Sequence, residues 1–226
     1  MFSGQIPFEP TDSTRGFCHQ ITQQASLRPL TTEDANELFA LVDANRAYLR
    51  QWLPWLDMNQ TADDSLNFIK SSLERQQANN GFVSALCYDS RHGSRIAGLV
   101  GLNYIDWDNR LSGIGYWLSE NQQGKGLITQ ACRAVIDHGF EQLALNRIDI
   151  RCATQNFPSQ AVAKRLGLIY EGTLRDAEWL YDHFVDHRVY SVIRREWPLM
   201  RASAASAGPA ESSSPPAQYP VPNPPG

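Results

Sequence analysis

This chain has little of what marks a secreted, membrane-spanning or nucleic-acid-binding protein. Cysteine is scarce: Cys18, Cys87, Cys132 and Cys152 are the only four in 226 residues, and no two stand at C-x-x-C spacing. A zinc ribbon or a thioredoxin-type pair is therefore not expected, and scattered cysteines read as buried thiols in a reducing compartment. No window approaches about 18 consecutive apolar residues, so no transmembrane helix is expected. The N-terminal stretch MFSGQIPFEPTDSTRG has no basic region followed by an apolar one, so no secretory signal is expected either. A basic surplus is also missing. Twenty Lys and Arg stand against 24 Asp and Glu, a net charge of −4, which is poor counter-charge for a phosphate backbone. Neither nucleic acid nor membrane is an expected partner, and a soluble cytoplasmic protein follows by elimination. The composition, 42% hydrophobic and 19% charged, is that of a globular domain large enough to fold without disulfides.

The end of the chain, RASAASAGPAESSSPPAQYPVPNPPG over residues 201–226, is Ala, Ser and Pro with almost no large apolar side chain. It cannot bury enough surface to offset its ordering entropy. A poorly ordered segment over residues 1–19, a folded domain over 20–197 and a disordered tail over 198–226 are expected. Within the domain, helical and strand periodicities alternate. One or two helices are expected from Glu33 to about Trp52, entered through Thr31 or Thr32, and another from Thr61 to Gln77. Phe82–Tyr88 and Arg95–Tyr104 read as strands joined by a turn at Arg91-His92-Gly93-Ser94, and Leu111–Ser119 reads as a third. Leu127–Leu145 carries Ile128, Cys132, Val135, Ile136, Gly139 and Leu143 on one stripe and is the best helix in the chain. Arg147–Ala153 alternates as a strand. A short helix from about Pro158 to Leu166 stops at Gly167, and closing strands are expected over Leu168–Arg175 and Phe184–Arg194. The order predicts a mixed α/β sheet, mainly antiparallel, with helices on both faces.

Chemistry concentrates where the Leu111–Ser119 strand meets the long helix, at Gln122-Gln123-Gly124-Lys125-Gly126-Leu127-Ile128. A strand, a glycine-containing loop and a helix start can form an anion site. The glycines admit close backbone approach, and the first helical amides are unpaired and at the positive end of the helix dipole. Gly-x-Gly before a helix equally makes a plain tight turn, and both readings stand. The loop matches neither a Walker motif nor G-x-G-x-x-G.

At this loop the sequence resembles the GNAT superfamily of N-acyltransferases, whose pyrophosphate motif is Gln/Arg-x-x-Gly-x-Gly/Ala. Here it reads Gln123-Gly124-Lys125-Gly126-Leu127-Ile128, with Ile128 in place of the final small residue. That departure is familiar in the Rim-type branch, which acetylates N-termini of ribosomal proteins, and it leaves the backbone amide in place. Asn45–Leu56 resembles the N-terminal helix signature of that branch. Asn156-Phe157-Pro158-Ser159 with Leu166-Gly167-Leu168 resembles its second CoA-binding segment, and Glu171–Arg175 and Val185–Ser191 resemble its closing strands. The resemblance covers residues 20–197 in order. It implies a sheet splayed in the middle, with acetyl-CoA as cosubstrate and its pantetheine in the gap. It also implies direct transfer to a primary amine, the N-terminal α-amine of a protein such as a ribosomal protein, by a chain that could be a homodimer and needs no metal.

The resemblance assigns roles residue by residue. Backbone groups of Gln123, Gly124, Lys125, Gly126, Leu127 and Ile128 hold the pyrophosphate. Strand amides at Trp117, Leu118 and Ser119 polarise the thioester carbonyl. Asn156 helps hold the cofactor, and Ser159 protonates the leaving thiolate. Glu178 takes a proton from the amine. Each has a plainer alternative. Asn156 with Ser159 three residues on is a helix cap pattern. Glu178, beside Trp179 in the stretch between the closing strands, is equally a solvated carboxylate, with Asp176, Asp182 and Asp186 as rivals. Tyr48, Trp52 and Trp55 either pack a helix or wall the acceptor groove. Cys152 reads as a core thiol rather than an acyl carrier. His183 and His187, four apart near a strand, stand about 13 Å from each other and form no metal pair; His138 lies at the border of a helix's polar face. Two other functions remain open: acetylation of a small amine such as an antibiotic or polyamine, and a non-catalytic acyl-CoA-binding module.

Overall fold

The computed structural model describes residues 17–90 and 93–200. Most of the expected terminal segments, and Arg91 and His92 of the expected turn, lie outside the described residues. The other two turn residues, Gly93 and Ser94, belong to a strand.

Among the described residues, eight strands form one sheet in the order β1-β2-β3-β4-β5-β6-β8-β7. They are β1 His19–Thr22, β2 Ala25–Pro29, β3 Phe82–Ser90, β4 Gly93–Asp106, β5 Leu111–Leu118, β6 Arg147–Ala153, β7 Ile169–Leu180 and β8 His183–Ile193. The helices are α1 Ala35–Ala44, α2 Arg46–Leu49, α3 Ala62–Gln77, α4 Leu127–Glu141 and α5 Phe157–Arg165, with 3-10 turns at Thr32–Asp34, Leu56–Met58 and Glu120–Gln122. The β1–β2 hairpin was not among the sequence expectations. The folded unit also runs past residue 197, since Trp197 is buried and Met200 packs on Gly167.

Local chemistry sets the helix starts. Thr61 caps α3 by accepting from the Asp64 amide, and Asp64 returns a bond to the Thr61 amide. The same reciprocal box, Thr31 with Asp34, opens the first helical segment. α4 buries Leu127, Ile128, Ala131, Cys132, Val135, Ile136 and Phe140. Fully buried Val135 and Ile136 contribute roughly 1.5–3 kcal/mol each.

α4 and α5 pack on one face of the sheet, sharing a core with Leu86, Val100, Ile148, Ile150 and Tyr190. α1 and α3 pack on the other, over Ala85, Cys87, Ile96 and Leu99. Every strand pairing is antiparallel except β5 with β6. Those two pair in parallel through Leu111–Arg147, Ser112–Ile148 and Gly113–Asp149 alone. Beyond Gly113 they part, while β5 stays paired with β4 to Leu118 and β6 stays paired with β8 to Ala153. The splay thus leaves one edge of each strand facing a gap in the middle of the sheet.

Candidate active site

The gap opens into a cavity of about 520 Å³. β5 lines it with Tyr116, Trp117 and Leu118, and the loop after β5 with Gln122, Gln123, Gly124 and Gly126. The first turn of α4, the first turn of α5 with Asn156, and Tyr48, Leu49, Trp52 and Leu53 complete the wall. Most of the sequence-predicted cofactor residues meet here.

At one end of the cavity sits the start of α4. Gly124 and Gly126 hold φ of 74° and 72°, the left-handed region that glycine enters without cost. A Cβ at Gly124 would meet nothing within 4 Å, so conformation rather than space requires glycine there. No side chain caps α4. Its first intrahelical bond runs from the Gln130 amide to the Gly126 carbonyl at 3.1 Å, so the amides of Leu127, Ile128 and Thr129 have no intrahelical acceptor. Three orphan donors at a helix N-terminus on a cavity wall fit a pyrophosphate. The Lys125 side chain does not join them. Its Nζ donates to Gln122 Oε1 at 2.7 Å and stands 4.5 Å from the Tyr88 ring centroid.

The strand amides sort by ladder alternation. The Ser119 amide donates to the Ala97 carbonyl at 2.8 Å, toward β4, and Trp117 pairs with Leu99 in the same phase. An antiparallel ladder alternates its direction, so the amides of Tyr116 and Leu118 turn to the gap. Of the expected Trp117, Leu118 and Ser119, Leu118 therefore presents its amide there, and Ser119 is buried with its amide committed.

The first turn of α5 lines the same cavity. The Ser159 amide donates to Asn156 Oδ1 at 3.1 Å, so the cap reading of this pair holds. Its acceptor is Asn156, and Ser159 supplies only a backbone N–H. The Ser159 side chain is left for the cavity, where Oγ lies 2.8 Å from the Tyr116 hydroxyl. Burial pushes the Tyr116 phenol well above its ordinary pKa, so it keeps its proton at neutral pH. Cys152 is buried, and burial raises its thiol. A protonated core thiol is a poor acyl carrier. Of the four cysteines only Cys18 is exposed, contrary to the expectation of buried thiols throughout.

Two hydrogen bonds tie α1 and α2 to the cofactor loop. Asn45 Oδ1 accepts from the Glu120 amide at 2.9 Å, and Gln123 Nε2 donates to the Tyr48 hydroxyl. On the far side, the β7–β8 turn reaches the same region. The Tyr181 hydroxyl donates to the Leu53 carbonyl at 2.5 Å and accepts from the Leu56 amide at 3.3 Å. The Arg50 guanidinium lies 3.7 Å from the Tyr181 ring centroid and is held by Asp57. The segment Arg50–Leu56 is thereby fixed as an arch between the cofactor loop and the β7–β8 hairpin.

Glu178 lies within β7, not in a connecting stretch, because that strand continues to Leu180 through a bulge. Asp176 absorbs the extra residues at φ 48°, its amide donating to Asp186 Oδ1 at 2.9 Å. Trp179 turns to the opposite face, where its ring packs 4.8 Å from Phe184. The partner of Glu178 is instead His187 of β8, with Oε2 to Nε2 at 3.3 Å. Among the rivals, Asp186 is engaged at the bulge, and Asp182 sits at the hairpin tip beside His183. Among the described residues no group of three or more His, Cys, Asp or Glu could hold a metal ion, and no helix is long and apolar enough to cross a membrane.

A strand splayed from its neighbour beside an uncapped, glycine-started helix fits a cofactor that carries a pyrophosphate and an extended arm. The acetyltransferase (GNAT) domain model matches residues 25–169, and the chain belongs to that family as an acetyl-CoA-dependent N-acetyltransferase. YdaF of Bacillus subtilis (strain 168) is 36% identical over 80% of this chain and 97% of its own. The ribosomal-protein-serine acetyltransferase of Escherichia coli (strain K12) is 30% identical over 77% of this chain and 95% of its own. Among solved structures, RimL, a ribosomal L7/L12 alpha-N-protein acetyltransferase in complex with coenzyme A, superposes with a TM-score of 0.74 at 26% identity. That match covers 78% of this chain and 98% of RimL.

Proposed function

We propose that this enzyme acetylates the N-terminal α-amine of a protein, with a ribosomal protein as the acceptor. The observation that carries the reading is the pairing of Tyr116 with Ser159 on the wall of the cavity that the orphan amides of α4 also line. That arrangement supports a thioester held between a phosphate anchor and a proton donor. The choice of acceptor is supported by the similarity to the E. coli ribosomal-protein-serine acetyltransferase and to RimL.

The amides of Leu127, Ile128 and Thr129, with the backbone at Gly124 and Gly126, anchor the pyrophosphate. Asn156 positions the segment that covers the pantetheine. The Leu118 amide, aimed at the gap, stabilises negative charge on the thioester oxygen as the amine attacks. The C–N bond forms and the C–S bond breaks. Glu178 accepts the proton that the amine gives up, and His187 orients the Glu178 carboxylate. Ser159 Oγ, held by its hydrogen bond to the Tyr116 hydroxyl, which keeps its own proton, donates a proton to the departing thiolate and is reprotonated from solvent. Tyr48 and Trp52, on the cavity wall, border the acceptor's path under the arch.

Steady-state turnover of acetyl-CoA on three acceptor classes tests the reading. Peptides copying ribosomal-protein N-termini, spermidine and an aminoglycoside are compared by kcat/KM. The peptides are expected to exceed both small amines by at least tenfold, about 1.4 kcal/mol of transition-state discrimination. A higher value for either small amine overturns the choice of acceptor.

A further inference from the structure

A second cavity, of about 340 Å³, lies on the α1–α3 face of the sheet. Leu38 and Val42 of α1, Leu99 of β4, Trp55, Phe68 of α3 and Trp117 of β5 supply its apolar wall, and Met58 stands at its rim. Asp64 and Asn59 border it and make hydrogen bonds within the chain. Asp64 accepts from the Gln60 and Thr61 amides in the α3 cap. Asn59 exchanges hydrogen bonds with Ser65 and accepts Arg46 at its carbonyl. The other lining residues all carry apolar or aromatic side chains, so the cavity suits an apolar occupant. Two large apolar side chains already wait at its opening: Met58 is 73% exposed and Phe68 38% exposed.

Trp117 says which occupant. It lines this cavity and the cofactor cavity alike, and its ring meets that of Trp55 at 6.4 Å between centroids. Its neighbours on β5, Tyr116 and Leu118, face the cofactor gap. Successive strand side chains point to opposite faces, so the recess begins on the other side of the strand that delivers the acyl group. Consecutive residues of a polypeptide advance by about 3.3–3.6 Å. A chain whose first amine reaches the thioester carbon held beside the Leu118 amide therefore brings its next few side chains toward this opening.

We propose that the recess receives an aliphatic or aromatic side chain of the acceptor protein, at its second, third or fourth position. This selects acceptors by an apolar residue just inside the N-terminus, and it rests on the α-amine reading above.

The test uses the full chain and synthetic peptides that begin with serine, with Gly, Leu, Phe or Asp placed in turn at the second, third and fourth positions. Leu or Phe at one of these positions is expected to raise kcat/KM roughly tenfold or more over Gly there, the size of one buried apolar side chain. Asp there is expected to lower it. Met58→Asp and Phe68→Asp, both at the exposed rim, are expected to bring the Leu-to-Gly ratio down to about one, measured within one preparation. A flat response in the wild type, or a ratio that survives both substitutions, overturns the recess and leaves the α-amine reading standing. Failure to acetylate any peptide while spermidine turns over removes both.

Discussion

The Tyr116 hydroxyl and Ser159 Oγ stand 2.8 Å apart, one on a sheet strand and the other in the first turn of α5. Because the α5 cap is the bond from the Ser159 amide to Asn156, removing the Ser159 hydroxyl leaves the cap intact. Ser159→Ala is therefore expected to lower kcat by roughly 10²–10⁴-fold where chemistry limits the rate, with KM for acetyl-CoA and Tm nearly unchanged. Asn156→Ala is expected to cost about 1 kcal/mol of stability instead. Thermal melts beside kcat for the two variants separate the roles. Normal turnover in folded Ser159→Ala removes Ser159 as the proton donor.

The start of α4 gives a binding prediction. Proline fixes φ near −65°, whereas Gly126 holds 72°. Gly126→Pro is expected to move the orphan amides out of line and abolish acetyl-CoA binding by calorimetric titration. Gly124→Ala meets no atom within 4 Å, so it is expected to cost only the left-handed strain, about 1–2 kcal/mol, and to keep weakened binding. Wild-type affinity in a folded Gly126→Pro variant would place the pyrophosphate elsewhere.

Glu178 gives a pH prediction. A free α-amine has a pKa of about 7.7–8.0, so a base helps at neutral pH and is dispensable above about 9. Glu178→Gln is expected to lower kcat/KM at pH 7, with the loss shrinking as pH rises to about 9. His187→Gln, which keeps a donor toward Glu178, is expected to retain more activity than His187→Ala. A Glu178→Gln profile that overlays wild type across this range removes Glu178 from the chemistry.

A further pH effect lies away from the cavity. Arg147 and Ser191 hold the Glu171 carboxyl down to about 2, Arg147 through a two-pronged bond with both contacts at 2.6 Å. A carboxylate whose folded pKa is depressed stabilises the fold above its unfolded value, and this is lost as pH falls from about 4.5 toward 2. The Glu171 side chain is 41% exposed, so solvent screening limits the effect to about 1 kcal/mol or less. Glu171→Gln is expected to melt slightly below wild type at pH 7, with the difference vanishing toward pH 2. A gap that stays constant with pH would assign the loss to packing.

Where burial wrote a period into the sequence, the fold was legible. The bounds of β6, Arg147–Ala153, are those expected, because the strand lies inside the sheet with both neighbours or the gap beside it. The helix expected from Thr61 to Gln77 is α3, Ala62–Gln77 behind a Thr61 cap, and Gly167, at φ 82°, ended the α5 segment as expected. β7 was cut short because it is an edge strand whose residues are nearly all exposed. Without a buried face it carries no alternation, and Asp176 at its bulge reads as a loop. That is why Glu178 was placed between strands and beside Trp179 rather than against His187. In the site, glycine spacing and Asn-x-x-Ser identified the loop and the α5 turn. Tyr116 was missed, since a tyrosine on a strand carries no mark of the helix turn that the fold brings to it. The Lys125 side chain belongs to the loop motif, yet it swings to Tyr88, a β3 residue distant in sequence.

The central claim is acetyl transfer to a protein α-amine, and site-resolved mass spectrometry tests it most directly. The enzyme is incubated with acetyl-CoA and a peptide that has a free N-terminal serine and one internal lysine. Acetylation is expected on the α-nitrogen alone, dependent on acetyl-CoA, and slowed at least about 10²-fold in Ser159→Ala. Acetyl appearing on the lysine ε-nitrogen, or no peptide product while a small amine is acetylated, would contradict it.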